Sequence, residues 1–403
     1  MQTYFPMYSN TNQAPPTFYT LQFGLLCASS FLFFMSFNMI IPELPDYLSS
    51  LGGADYKGLI IALFTVSAGL SRPFSGKLAD LIGRIPVMVF GVVVCFVCSL
   101  FYPLLSTVWA FFLLRFVHGF STGFTPTGIS AIIADTVPAG RRGEAVGIWG
   151  LASNIGTAIG PALGSNLAHY VSLNAMFYTA SFFSILSILI LYSLKETLPE
   201  RQAFALQMLR IKRSEIFEPL VFAPTLIMFL GVFSFGAILT VIPDFSKSLG
   251  VENKGIFFTF YTISSLAIRF IAGKLSDRYG RVMILKWSSL MLIFALLYIG
   301  FAQADWQLML GACFFGMAVG MNSPTLVAWT IDLSDEQYKG RAMATMYIGM
   351  EAGIGLGALL GGYIYNNQIE KLPQVFMLSA ALVLAAYLYL LWYKPKIAAN
   401  TQN

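Results

Sequence analysis

A nine-residue segment, Gly76-Lys77-Leu78-Ala79-Asp80-Leu81-Ile82-Gly83-Arg84, returns 197 residues later as Gly273-Lys274-Leu275-Ser276-Asp277-Arg278-Tyr279-Gly280-Arg281. The register holds well outside the segment. Arg72 matches Arg269, Gly119 matches Gly316, Gly123 matches Gly320, Asp135 matches Asp332 and Gly143 matches Gly340. Gly156, Gly160 and Gly164 match Gly353, Gly357 and Gly361 in the same way. A single offset kept from Arg72 to Gly164 makes the chain two copies of one structural unit.

That unit is apolar. Of 403 residues, 57% are hydrophobic and only 11% charged, with a mean hydropathy of +0.71. Soluble domains carry about a quarter charged residues, so hydrocarbon is the solvent here and length is counted in spans of about 20 residues. Twelve spans are expected, at about 20–42, 57–78, 86–106, 108–134, 143–168 and 172–194, then about 222–243, 255–275, 282–303, 305–331, 339–365 and 373–393. Six spans per copy give both copies the same orientation. The expected fold is an all-α membrane protein, twelve transmembrane helices in two pseudo-symmetric six-helix bundles. The divisions are a polar tail 1–19, a bundle 20–194, a central loop 195–221, a second bundle 222–393 and a tail 394–403. The polar stretch Lys195 to Glu218 reads as an interfacial helix or loop.

Charge orients the chain. With both termini inside, the outer face holds only Lys57, Lys247, Lys254 and Lys371; Arg115 lies within a span, and the other nineteen of 24 basic residues face inward. This is the positive-inside bias of a cytoplasmic (inner) membrane protein. The net charge of +5 follows from it and implies no nucleic-acid partner. Residues 1 to 19 lack Lys and Arg, so no cleavable signal is expected. Cys27, Cys95, Cys98 and Cys313 all fall in apolar runs and read as packing thiols, and His118 and His169 form no metal cluster. No G-x-x-x-x-G-K-S/T loop occurs, so no nucleotide is expected to drive the protein.

Two six-span halves with a G-x-L-a-D-x-x-G-R loop between spans 2 and 3 resemble the major facilitator superfamily, over about Leu21 to Tyr393. Three stretches are similar to its drug:proton antiporter branch with twelve spans. They are Arg115-Phe116-Val117-His118-Gly119 in span 4, the run from Gly156 through Pro161 to Gly164-Ser165 in span 5, and Pro42-Glu43-Leu44-Pro45 at the end of span 1. Ser165 stands where that branch's motif ends in glycine. Asn38 stands where several multidrug members have an acid.

The resemblance implies a secondary transporter working by alternating access and driven by a proton gradient, with no cofactor, no catalytic residues and no enzymatic reaction. Its partners would be a small-molecule substrate, protons and the bilayer, and it would be monomeric. Asp80 would face the start of span 11 at Gly340 and Arg341, and Asp277 the start of span 5 at Gly143 beside Arg142, where a carboxylate suits a helix N-terminus. Gly76, Asp80, Gly83, Arg84, Gly273, Asp277, Gly280, Arg281, Arg142 and Arg341 would then form a latch that closes the inner side. Gly76 and Gly83 would allow a tight reversal.

Intramembrane charge is the sharpest pointer, since it is costly unless it faces partners or water. Glu351 lies near the middle of span 11, and its repeat counterpart in span 5 is Asn154. Glu351 would carry the proton or act as counter-charge to a cationic substrate. Arg115 would support it, and His118, one turn on, would extend a relay. Glu43 and Asp46 read as exposed rim residues. The glycines 156, 160, 164, 353, 357 and 361, with Pro161, form a helix-packing seam. Phe33, Phe34, Phe37, Phe233, Phe235, Phe257, Phe258, Tyr261, Trp149, Met346, Tyr347 and Met350, with Asn38, Asn154 and Asn322, are candidates for a central cavity. An aromatic and Met-rich wall suits bulky amphipathic compounds. The expected function is proton-driven export of such molecules, as in multidrug efflux. The sequence leaves open a transporter of a polar metabolite such as a sugar or siderophore, and a non-transporting sensor or lipid scramblase on the same fold.

Overall fold

The computed structural model describes residues 19–138, 142–211, 217–334 and 339–393; within these, the side chains of 142–144, 270, 273, 274, 277 and 339–341 are not described. The first half contains α1 (Leu21–Met39), the short α2 (Leu44–Ser50), α3 (Lys57–Ile82), α4 (Arg84–Phe101), α5 (Val108–Thr136), α6 (Arg142–Tyr170) and α7 (Leu173–Ser193). The second contains α8 (Phe222–Ser248), α9 (Ile256–Tyr279), α10 (Arg281–Gly300), α11 (Asp305–Leu333), α12 (Lys339–Tyr365) and α13 (Leu372–Trp392). Leaving out α2, twelve helices of 18 to 29 residues stand close to the expected boundaries. Among the described residues ten helices are long and apolar enough to cross a membrane, and α9 has a shorter apolar stretch at Ile256–Arg269. Arg115 and His118 interrupt the apolar run of α5.

Local chemistry sets the helix ends. The hydroxyls of Thr20, Thr107 and Ser172 accept from the first-turn N–H groups of α1, α5 and α7. The duplicated segment is helical for most of its length: α3 continues to Ile82 and α9 to Tyr279. The reversals occur at Gly83 (φ 122°) and Gly280 (φ 86°) alone, backbone that a side chain disfavours. Gly76 and Gly273 are therefore helix-interior residues and take no part in the turn.

Within the first half α1 packs on α6 and α7, α3 on α5, and α4 on α5 and α7; in the second, α8 packs on α12 and α13, α9 on α11, and α10 on α11 and α13. The glycine stripes join helices of the same half. A Cβ at Gly160 would meet Met35 O at 2.7 Å, and Gly156 and Gly164 lie equally close to the backbone at Phe31 and Met39. Gly353 and Gly357 lie in the same way on Phe229 and Phe233 of α8. The seam is thus a cement inside each half. The two halves meet instead along α3 with α12 and α6 with α9, which the repeat interchanges.

Residues 195–210 of the central segment bond to the first half, and Glu218 N donates to Thr345 Oγ1 of α12 at 2.9 Å. Glu196 accepts from the backbone N–H groups of Arg84, Ile85, Thr197 and Leu198 at 2.9 to 3.0 Å, capping α4, whose own N-cap Gly83 offers no side chain. Gln202 N donates to Leu81 O at 2.9 Å, and Lys77 Nζ to Arg210 O at 2.6 Å. Only one short 3-10 turn, Leu206–Leu209, forms between Lys195 and Arg210.

Candidate functional site

Close backbone approach brings α12 onto α3. Cβ atoms at Gly362, Gly355 and Gly69 would meet Gly58 Cα at 2.8 Å, Thr65 Oγ1 at 2.6 Å and Glu351 Cβ at 3.4 Å. One turn beyond Gly69, Arg72 Nη2 donates to Glu351 Oε1 at 2.6 Å, with side chains 11% and 8% exposed. The Arg72 guanidinium also lies 4.9 Å from the Tyr347 ring centroid, a favourable seat for a cation. Two charges this far from water hold only because they hold each other. Glu351 was singled out by its depth in a span; its partner was not, because Arg72 reads from sequence as a helix-end residue.

Arg115 does not join this pair. It is buried in the first half, donating from Nε to Ile60 O at 3.0 Å and from Nη1 to Tyr102 Oη at 3.3 Å, over the Phe64 ring at 4.6 Å. His118 continues the same network, 3.4 Å from both Tyr102 Oη and Cys95 Sγ. These groups fix α3, α4 and α5 against one another.

The polar candidates divide likewise. Asn38 donates to Phe34 O at 2.7 Å and to Thr157 Oγ1 at 3.4 Å, and Asn322 to Ser288 Oγ at 3.2 Å, so both bond within their own half. Trp149 Nε1 donates to Ser30 Oγ at 2.7 Å. Phe37 stacks on Phe64 at 5.9 Å, Tyr261 lies 5.6 Å from Phe235, and Tyr347 and Met350 flank Glu351 on α12.

At the face where α3 and α9 begin, called here the rim face, ions cross between the halves. Lys57 Nζ lies 2.5 Å from Asp244 Oδ2, and Lys254 Nζ lies 2.9 Å from Glu43 Oε2 and 2.7 Å from Asp46 Oδ2. Tyr365 donates to Asp244 at 3.1 Å. Burial works against the Lys254 ammonium, but the charge of Glu43 and the bonds it donates to both carboxylates outweigh it and hold its pKa above the ordinary lysine value. Glu43 and Asp46, expected as exposed rim residues, are therefore the acidic side of a closure. The Ser165 hydroxyl donates to Glu43 Oε1 at 2.7 Å, so the departure from the glycine of the resembled motif serves this contact. Lys57 and Lys254 are related by the repeat, and so, one residue out of register, are Asp46 and Asp244.

The opposite, hairpin face looks different. At Gly76, Gly147 and Gly150 a Cβ would find nothing within 4 Å. Arg84 bonds Asp80 at 2.8 Å and Asp135 at 3.1 Å, and Arg281 bonds Asp332 at 3.0 Å, all inside one half. The Asp80 side chain is 71% exposed. The side chains of the expected latch partners Arg142, Asp277 and Arg341 lie outside what is described, as do the surroundings of Gly143, Gly273 and Gly340. Among the described residues the ion pairs at the rim face cross between the halves, while those at the hairpin face stay within one half.

A family model described as Major Facilitator Superfamily matches residues 26–254 and 224–403. The quinolone resistance protein NorA of Staphylococcus aureus (strain MSSA476) is 26% identical over 364 residues, 87% of this chain and 91% of the relative. The multidrug resistance protein MdtG of Serratia proteamaculans (strain 568) is 28% identical over 384 residues, 90% of this chain and 91% of the relative. Among solved structures, the human organic anion transporter MFSD10 superposes with a TM-score of 0.72 at 21% identity, over 91% of this chain and 98% of its own. A D-xylose-proton symporter superposes with 0.77 at 16% identity, over 94% and 99%. At these identities the two structures show a shared fold.

Proposed function

The chain belongs to the Major Facilitator Superfamily, and we propose that it exports lipophilic or amphipathic small molecules in exchange for protons, by alternating access of its two halves. The names of NorA and MdtG, resistance proteins similar to it over most of its length, support export of foreign compounds. The observation that carries the coupling is the buried Arg72–Glu351 pair across the interface of the halves. The four outward lysines against nineteen inward basic residues support a rim face outside and a hairpin face inside, with both ends of the chain in the cytoplasm. Bundles 20–194 and 222–393 then rock as units about residues 195–221, the protein working as a monomer in the inner membrane.

In this reading the structure is the inward-open state. Glu351 is ionised against Arg72, having released its proton inward, and the cleft is ready to load. For the rim to open, α3 must part from α12 and the pair must separate. Glu351, now open to the outside, takes a proton, the neutral acid lets the halves close again, and the proton leaves inward as the pair re-forms. The hairpin segments would latch the inner side in the outward-open state.

The test uses proteoliposomes with an internal pH dye, an imposed proton gradient, and a panel of lipophilic cations, antibiotics and sugars. Substrate-dependent proton movement that is present in the wild type and absent in Glu351→Gln is the expected result. Proton movement that survives in the variant moves the coupling role to another acid. Movement of a sugar alone replaces the multidrug reading with metabolite transport.

A further inference from the structure

The repeat that interchanges α3 with α9 and α12 with α6 places Arg269 where Arg72 stands and Asn154 where Glu351 stands. One interface thus has a cation and an acid, and the other a cation and a neutral amide. Among the described residues Arg269 has no ion pair, and its Nε is buried without a hydrogen-bond partner. Thr262 Oγ1, two helical turns earlier on the same face of α9, is also buried and unpartnered. That face looks toward α6. Thr65, the counterpart of Thr262, lies against Gly355 of α12, and Thr259 donates to Ala158 O of α6 at 3.3 Å. Asn154 lies one turn below Ala158 and makes no side-chain hydrogen bond among the described residues. Beyond Asn154 the α6 side opens, with nothing within 4 Å of a Cβ at Gly150 or Gly147.

The Arg269 Nε is a donor held away from water with no partner, and such a donor is expensive to keep. We propose that Arg269, with Asn154 and Thr262, is the anion pole of the substrate site, and that the preferred substrates are amphipathic molecules bearing a carboxylate. This rests on the export reading above and narrows it. The carboxylate would do at the α6–α9 interface what Glu351 does at the α3–α12 interface. It would accept charge-assisted hydrogen bonds from Arg269, while the Asn154 amide and Thr262 hydroxyl meet its remaining lone pairs. The apolar part would lie against Tyr261 and Phe235. Binding would require no proton from Arg269, whose guanidinium stays charged.

The test pairs several aryl carboxylic acids with their methyl esters, and reads both binding to purified protein, by thermal shift, and transport in proteoliposomes. The wild type should bind acids about tenfold or more tightly than esters. Arg269→Gln should remove that preference and leave ester binding in place. Asn154→Asp, which supplies Arg269 with an internal carboxylate, should exclude acids while still taking esters. Wild-type protein that binds acids and esters alike, or binds none of the acids, overturns the assignment. So does an Asn154→Asp variant that keeps the preference for acids. Failure of the export reading looks different: acid-selective binding would persist while no compound moved protons.

Discussion

Arg72 Nη2 stands 2.6 Å from Glu351 Oε1 across the α3–α12 interface between the halves. The position gives the pair two tasks. It neutralises two buried charges, and in the proposed cycle it would tie the acid's protonation to whether the interface can open.

The first expectation concerns stability. Arg72→Gln leaves the Glu351 carboxylate buried and unpaired, and should cost about 3 kcal/mol. Arg72→Gln combined with Glu351→Gln removes both charges and should recover most of that loss. Thermal melts of the purified variants decide it: equal melting of the single and double variants would show that the two residues are not coupled.

The rim ion pairs yield a conformational expectation. Lys57→Asp sets two acids against each other at Asp244 and should shift the population toward the state open at the rim. The pair is as buried as Arg72–Glu351, so breaking it should cost about 3 kcal/mol and shift the balance about a hundredfold. Adding Asp244→Lys should restore the closed rim. Spin labels at Ser50→Cys and Ser248→Cys, in protein whose four native cysteines are replaced, report the distance across the rim. A distribution unchanged by Lys57→Asp would remove the closure role.

What the sequence could disclose follows from what each pattern encodes. Hydropathy gives depth along a helix, so the long helices and the mid-membrane place of Glu351 were legible. It does not give azimuth, so neither the Arg72–Glu351 pair nor the turning of Asn38 and Asn322 into their own halves could be read. The glycine stripes announced close packing, but only the structure shows that Gly160 and Gly357 face α1 and α8 of the same half. The duplicated segment looked like a loop because it holds two glycines and several charges. Yet Lys77, Asp80 and Arg84 are spaced as neighbours on a helix and at its end, which is what they are. The rim closure was written in the repeat as Lys57 with Lys254 and Asp46 with Asp244, a signal that becomes visible once partners are sought across halves.

Glycine substitutions separate packing from mechanism. At Gly164 a Cβ would fall on the backbone of Met39, so Gly164→Ala should destabilise by about 1–3 kcal/mol. At Gly76 a Cβ meets nothing within 4 Å and the residue is mid-helix, so Gly76→Ala should melt at or above the wild-type temperature. If the hairpin segments close against the other half during the cycle, the same variant transports more slowly. Full stability with slowed transport supports that closure, and unchanged transport argues against it.

The last expectation is a pH dependence. Glu196 caps α4 from the central segment, and burial of its carboxylate opposes the charge while four backbone N–H donors favour it. The donors prevail, and its pKa lies below the ordinary value of 4.5. A group whose pKa is lower folded than unfolded stabilises the fold above its unfolded pKa and loses that contribution as pH falls through the folded one. Wild type should therefore melt above Glu196→Gln by a constant margin near neutrality, and the margin should shrink as pH drops from about 5 toward 3. Because Gly83 has no side chain and a Cβ there would meet Glu196 Oε2 at 2.6 Å, Gly83→Ala should abolish most of the same margin at neutral pH. Melting curves of the three proteins across this range test the cap, and a margin independent of pH would mean that the carboxylate charge contributes nothing to it.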